Sequence, residues 1–306
     1  MPTIGFRALA LAAALSAWAL VAVGGVVRVT ESGLGCPDWP LCDGNVVPAG
    51  RQSPAIEFSH RATATIVTLL VVAVAVWGAR AYWRSRRDIV VPALAAAAFV
   101  PFQALLGAVV VWLELPPWVV AVHFLLGMLF LATTAVTAAR ASYRRVYVPV
   151  VLAQTTRAAA VAALALISLG ASVVAAHADT ACGREWPACN GALARGGSLA
   201  QLQVAHRLLA YLVALLAVGL AALAWRSGGP RLAATLPLLA VVGQISVGVA
   251  LVLARDGGSA HDALEILHVA GAGTVWALLV ALLAIAAVPQ PSRSHTSRLA
   301  AAAGAG

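Results

Sequence analysis

Four histidines recur in register along the chain. His60 and His206 are 146 residues apart, and His123 and His268 are 145 apart. Each lies one to two turns inside one end of a long apolar run. Two imidazoles facing each other across a helical bundle can ligate one heme iron. A lone histidine in a membrane helix more often makes a polar contact with a neighbouring helix, but four at repeated positions and similar depth point to iron. Zinc is the competing metal, and it wants three or four converging ligands. Each half offers one repeated pair of histidines and no cysteine within its apolar runs, which suits a bis-histidine heme better. No C-x-x-C-H occurs, so that thioether attachment is excluded. His177, His261 and His295 have no counterparts and receive no role; His261 falls at the water boundary, where solvation is expected.

Glu57 precedes His60 by three residues, so both lie on one helix face. The position repeated in the second half is Gln203, the sharpest asymmetry between the halves. A carboxyl near an apolar interior costs several kcal/mol if charged and unpaired, and such a group is a candidate for proton transfer. The plainer reading is an acid in a first turn, behind Ser53 as N-cap and Pro54 at N1. Glu265 also precedes a histidine by three, but Asp262-x-x-Glu265 reads as a capping box, as does Ser198-x-x-Gln201. Arg61 and Arg207 each follow a candidate ligand and are about 100° round the helix from it. They are placed either to reach heme propionates or to snorkel to the interface. Arg28 is a weaker candidate for the same contact.

Cys36 and Cys42, and Cys182 and Cys189, enclose short loops rich in Trp and Pro. Four cysteines do not make a disulfide scaffold, but two local bridges, Cys36–Cys42 and Cys182–Cys189, are expected if these loops face an oxidising side. Closing so short a loop stabilises by only ~2–3 kcal/mol. Shaping a lid over each bundle's mouth, with Trp39 and Trp186 as covers, is the better reason for them. A redox role for Cys36 and Cys42 stays open, as does an ordinary interface-anchor role for the tryptophans.

The elements that position these residues are membrane helices. The chain is 62% hydrophobic and 10% charged, with mean hydropathy +0.92; soluble domains carry about 25% charged residues. Eight apolar runs have spanning length, with approximate cores at 8–28, 57–79, 90–112, 119–139, 158–177, 201–225, 233–254 and 263–287. The first is too long for a signal peptide and reads as a retained helix. The fold class is an all-α polytopic membrane protein, built as two tandem, parallel-repeat four-helix bundles. Its parts are 1–140, a linker at 141–157, 158–287, and a disordered tail at 288–306. All 20 basic residues are Arg. Thirteen fall at the N-terminus, after spans 2, 4 and 6, or in the tail, with one acid, Asp88. That bias puts both termini in the cytoplasm and both cysteine loops outside. It also explains the pI near 10.6 by topology, so no nucleic-acid partner is expected.

Gly33-Leu34-Gly35-Cys36-Pro37-Asp38-Trp39-Pro40-Leu41-Cys42 closely resembles the first outer loop of the heme A synthase family. Glu57-x-x-His60-Arg61 resembles that family's second-helix motif, and His123, His206 and His268 fall where its other histidines belong. The resemblance spans all eight helices. It implies a cell-membrane oxidoreductase that converts the C8 methyl of heme O to a formyl group, by two hydroxylations and loss of water, giving heme A for terminal oxidases. It also implies a division of labour. His60 and His123 would hold substrate heme O, with Glu57 near the reacting edge, while His206 and His268 hold a heme B cofactor. Partners on this reading are heme O, an electron donor, heme O synthase and the lipid bilayer, with room for a homo-oligomer. The alternatives are a diheme b-type electron carrier, which would make no modified product, and a heme transporter, which would need no Glu57/Gln203 asymmetry.

Overall fold

The computed structural model describes residues 1–42, 44–48, 50–189, 191, 197–254 and 258–287. Within them are eight long helices: α1 Ile4–Val29, α2 Gln52–Tyr82, α3 Arg87–Trp112, α4 Pro117–Ser142, α5 Val150–Ala175, α6 Ser198–Ser227, α7 Arg231–Leu253 and α8 Ser259–Ile285. All eight are long and apolar enough to cross a membrane. At 1.5 Å per residue even the 23-residue α7 reaches about 35 Å, beyond the ~30 Å hydrocarbon core. The tail at 288–306, with Arg293, His295 and Arg298, lies outside the described residues.

The packing is that of a membrane protein. Alanines such as Ala10, Ala13, Ala17, Ala93, Ala96, Ala159, Ala160 and Ala163 are buried, while Leu69, Leu215 and Leu239 are more than 60% exposed. Lipid leaves no hydrophobic drive between helices, so small side chains go to the contacts, where backbones approach closely, and large apolar ones face outward. Pro92, Pro101 and Pro237 sit inside α3 and α7, tolerated because neighbouring helices accommodate the break.

Helices α1 to α4 close on themselves: α1 packs on α2 and α4, and α3 on α2 and α4. Helices α5 to α8 do the same, α5 on α6 and α8, and α7 on α6 and α8. The two sets meet where α8 lies against α1 and α4, and α4 against α5. Polar ties mark that seam. Trp18 donates from Nε1 to the Ala270 carbonyl and to Thr274 Oγ1, both at 3.0 Å. Trp276 donates to the Met128 carbonyl at 2.8 Å, and Arg28 Nη2 meets Glu265 Oε2 at 2.6 Å. At the opposite end β1 Val146–Tyr147 pairs in parallel with β2 Ala286–Ala287.

Three local expectations change. The helix expected near 158 begins at Val150, because Gln154, Thr155, Thr156 and Arg157 lower the hydropathy without interrupting the backbone ladder; Leu152, Ala153 and Thr156 are buried. The connection between α4 and α5 is therefore 143–149. Helix α2 begins at Gln52 with Arg51 as N-cap, so Ser53 and Pro54 lie inside the first turn. Neither Ser198 nor Asp262 caps its helix: the N-caps are Gly197 and Gly258, with no side-chain cap bond.

Candidate functional site

The four candidate ligands lie near the N-terminal ends of α2, α4, α6 and α8, which alternate in direction with the odd helices and so share one face of the molecule. His206 and His268 face each other with ring centroids 6.5 Å apart and planes at 61°. Two His–metal bonds of about 2 Å, plus about 1 Å from each nitrogen to its ring centre, require roughly 6 Å between centroids. The second-half pair therefore has the spacing of two rings sharing one ion. His60 and His123 lie within electrostatic reach of each other. Among the described residues Nδ1 is buried without a hydrogen-bond partner in His123, His206 and His261, so this feature is shared by a histidine outside the candidate set. The four candidates fit heme-iron ligation. Among the described residues no group of three or more His, Cys, Asp or Glu gathers as a tetrahedral zinc site would need.

Each pair lies beneath a disulfide loop. Cys36 is bonded to Cys42, and Cys182 to Cys189, which accounts for all four cysteines. Trp39 of the first loop meets Trp112 edge-on at 6.3 Å, and Trp186 of the second meets Tyr211 at 6.4 Å. Both loop tryptophans thus turn back onto the helices.

Glu57 is 5% exposed and both its oxygens are engaged. Oε1 accepts from Arg61 Nη2 at 2.5 Å and Oε2 from the Cys36 backbone N–H at 2.9 Å. The side chain thus ties the ligand-bearing helix to the disulfide loop. Gln203 does the equivalent work without charge: Oε1 accepts from Arg207 Nη2 at 2.8 Å, and Nε2 donates to the Asp179 carbonyl.

The two arginines make loop contacts that the sequence did not suggest. Arg61 donates from Nη1 to the carbonyls of Asp38 and Leu41 and from Nη2 to that of Cys36. Arg207 donates from Nη1 to the carbonyls of Glu185, Pro187 and Ala188. Each guanidinium gathers several inward carbonyls of its loop, and so clamps that loop to its helix. Backbone acceptors leave no trace in residue types, so the sequence carried no sign of them. Arg28 also has a firm partner, Glu265. That pair displaces the capping role expected for Glu265. His261 lies 3.6 Å from Glu265 and is 23% exposed, more covered than the solvated residue expected.

Comparison with known proteins identifies relatives over most of the chain. The model of a family described as cytochrome oxidase assembly protein, COX15-CtaA, matches residues 7–280. A heme A synthase of Shouchella clausii is 31% identical over 299 residues, 91% of this chain and 93% of the relative. One of Exiguobacterium sibiricum is 33% identical over 199 residues, and one of Symbiobacterium thermophilum 36% identical over 199. Those two alignments span 65% and 64% of the relatives' lengths, a little under two thirds.

Proposed function

This chain belongs to the COX15-CtaA family of cytochrome oxidase assembly proteins, and from that premise we propose that it converts heme O to heme A by oxidising the C8 methyl to a formyl group. The relatives' name supports the reaction. The observation that carries it in this chain is the facing His206–His268 pair at 6.5 Å, beneath one of two closed loops.

On this reading residues 158–287 hold heme B through His206 and His268, and residues 1–140 receive heme O at His60 and His123. Bound heme B supplies one-electron redox chemistry. The chain's own residues do the rest. The apolar helices keep the porphyrin out of water, and the Trp-bearing loops cover each mouth. Glu57, the acid without a second-half counterpart, holds or moves a proton beside the substrate pair, or stabilises charge developing at the methyl carbon. Arg61 and Arg207 keep the loops seated; a propionate would have to share them with the carbonyls they already serve. The arginine bias supports a plasma-membrane orientation with both termini cytoplasmic and both disulfide loops outside. Turning a methyl into a formyl group removes four electrons and adds one oxygen atom, so the reaction draws on an external oxidant and an oxygen source; an electron donor and heme O synthase are the protein partners proposed, and a homo-oligomer is compatible with it.

The test is a heme profile. Membranes of cells that make heme O but no heme A are prepared with and without this protein, and extracted hemes are separated by chromatography. Heme A is expected only with the protein. An unchanged profile from well-expressed protein would refute the proposal, and two permanent b-type hemes with no new product would identify an electron carrier instead.

A further inference from the structure

Gln103-x-x-x-Gly107 in α3 and Gln244-x-x-x-Gly248 in α7 form a repeated motif that the ligand set does not use. Both copies turn toward the histidine of the following helix. A Cβ at Gly107 would stand 3.4 Å from His123 Cε1, and one at Gly248 would stand 3.1 Å from His268 Cε1. Gln103 Nε2 donates to the His123 carbonyl at 3.3 Å. Gln244 Nε2 donates to the His268 carbonyl at 2.8 Å and lies 3.1 Å from His268 Nδ1.

A helix carbonyl is ordinarily screened by the side chain about one turn further on. Here that side chain is missing. A Cβ at Gly271, three after His268, would collide with the Gln244 amide, whereas one at Gly127, four after His123, would stand in ordinary contact, 3.6 Å from Gln103 Nε2. The amide oxygens of Gln103 and Gln244 are themselves buried and unpartnered. That costs about 1–3 kcal/mol each, and it is sustained in both halves.

The reason lies in the histidine side chain. Its χ2 is a broad, two-fold torsion, so the rotamer alone does not fix the rotation of the ring. An iron ligand must be held to within about 0.5 Å and 10–20°, so external stops are needed. We infer that Gln103 and Gly107, and likewise Gln244, Gly248 and Gly271, are positioning residues that seat the His123 and His268 imidazoles. The glutamine fixes the height of the ligand's backbone. The odd-helix glycine gives the ring a flat backbone shelf, and in the second half Gly271 leaves the room that the Gln244 amide fills. His60 and His206 have the shelf without a glutamine of this kind: Cβ atoms at Gly24 and Gly170 would stand 3.5 Å from His60 Nε2 and 3.0 Å from His206 Cε1. This inference rests on the reading of these histidines as heme ligands.

The experiment uses the full-length protein purified in detergent with its heme. Gly248→Ala and Gln244→Leu are compared with wild type and with Gly243→Ala, a glycine on the same helix whose added Cβ would meet nothing within 4 Å. Heme per chain, the low-spin electron paramagnetic resonance signal and the reduction potential are measured. Loss of a residue that orients a ligand typically weakens binding 10- to 100-fold. The two seat variants are expected to shift signal and potential and to lose heme on dilution at least tenfold more readily, while Gly243→Ala matches wild type. Wild-type retention, signal and potential in both seat variants would overturn the seat. If Gly248→Ala does not fold, Gln244→Leu decides alone. Failure of the ligand reading has a different signature: His268→Ala would then leave heme content and spectrum unchanged.

Discussion

Replacing Glu57 with glutamine separates chemistry from support. The carboxylate accepts from Arg61 at 2.5 Å and from the Cys36 N–H at 2.9 Å. Glutamine has one acceptor oxygen, so it can satisfy Arg61 or the Cys36 N–H but not both. Gln203 supplies the template for the better choice, with oxygen to the arginine and amide to a loop carbonyl. The variant then loses one charge-assisted hydrogen bond, about 1.5–3 kcal/mol, against a typical folding stability of about 5–15 kcal/mol. It should fold and keep its heme. General acid–base participation is worth about 10²–10⁴ in rate, so heme A formation should fall at least about 100-fold. The assay measures heme A by chromatography after heme O supply, alongside heme per purified chain. Heme A within about tenfold of wild type, with heme retained, would remove Glu57 from the chemistry. Parallel loss of heme and product would instead make it a support for the loop. Gln203→Glu is the companion: it keeps the contact with Arg207 but cannot donate to the Asp179 carbonyl, so a lower unfolding midpoint than wild type is expected.

Arg207→Ala removes one donor group from three loop carbonyls and Gln203, and should expose the Cys182–Cys189 bridge. We expect its reduction by a mild thiol, followed by alkylation and mass spectrometry, to quicken at least about tenfold, equivalent to ~1.4 kcal/mol; an unchanged rate would show that the clamp does not hold the loop. Cys36→Ser with Cys42→Ser should cost about 2 kcal/mol, the loop-closure value for so short a ring, read as a lower unfolding midpoint in detergent. Protease resistance of the loop should persist while Arg61 holds it, and rapid cleavage would contradict that. Trp18→Phe should cost about 1–2 kcal/mol by deleting two seam hydrogen bonds, again read from the unfolding midpoint; a midpoint equal to wild type would show that the seam does not depend on them.

The eight helices were legible because lipid demands long apolar runs, and their cores were found wherever charge did not intervene. The start of α5 was missed because Gln154 to Arg157 break the hydropathy without breaking the helix. The histidines that approach each other were legible from their offset, since a repeated position implies a repeated depth. The destinations of Arg61, Arg207 and Arg28 were not. Two of these arginines bind main-chain carbonyls, which every residue carries alike, and the third binds an acid 237 residues away. The motif Gln-x-x-x-Gly was visible, but its purpose needed the histidine of another helix. Gly271 carried no signal, since its contribution is a side chain that is missing.

Helix α1 borders both histidine pairs. A Cβ at Gly24 would touch His60, and one at the adjacent Gly25 would stand 3.3 Å from Val269, next to His268. Arg28, one turn on, reaches Glu265. Consecutive residues point about 100° apart, so this short stretch serves two neighbours with no spare register. Inserting one residue between Trp18 and Gly24 would leave the indole anchored on α8 and swing everything beyond it by that angle. Such a lesion would misalign both histidine pairs together, so the segment should tolerate no change in length even where its individual side chains look interchangeable.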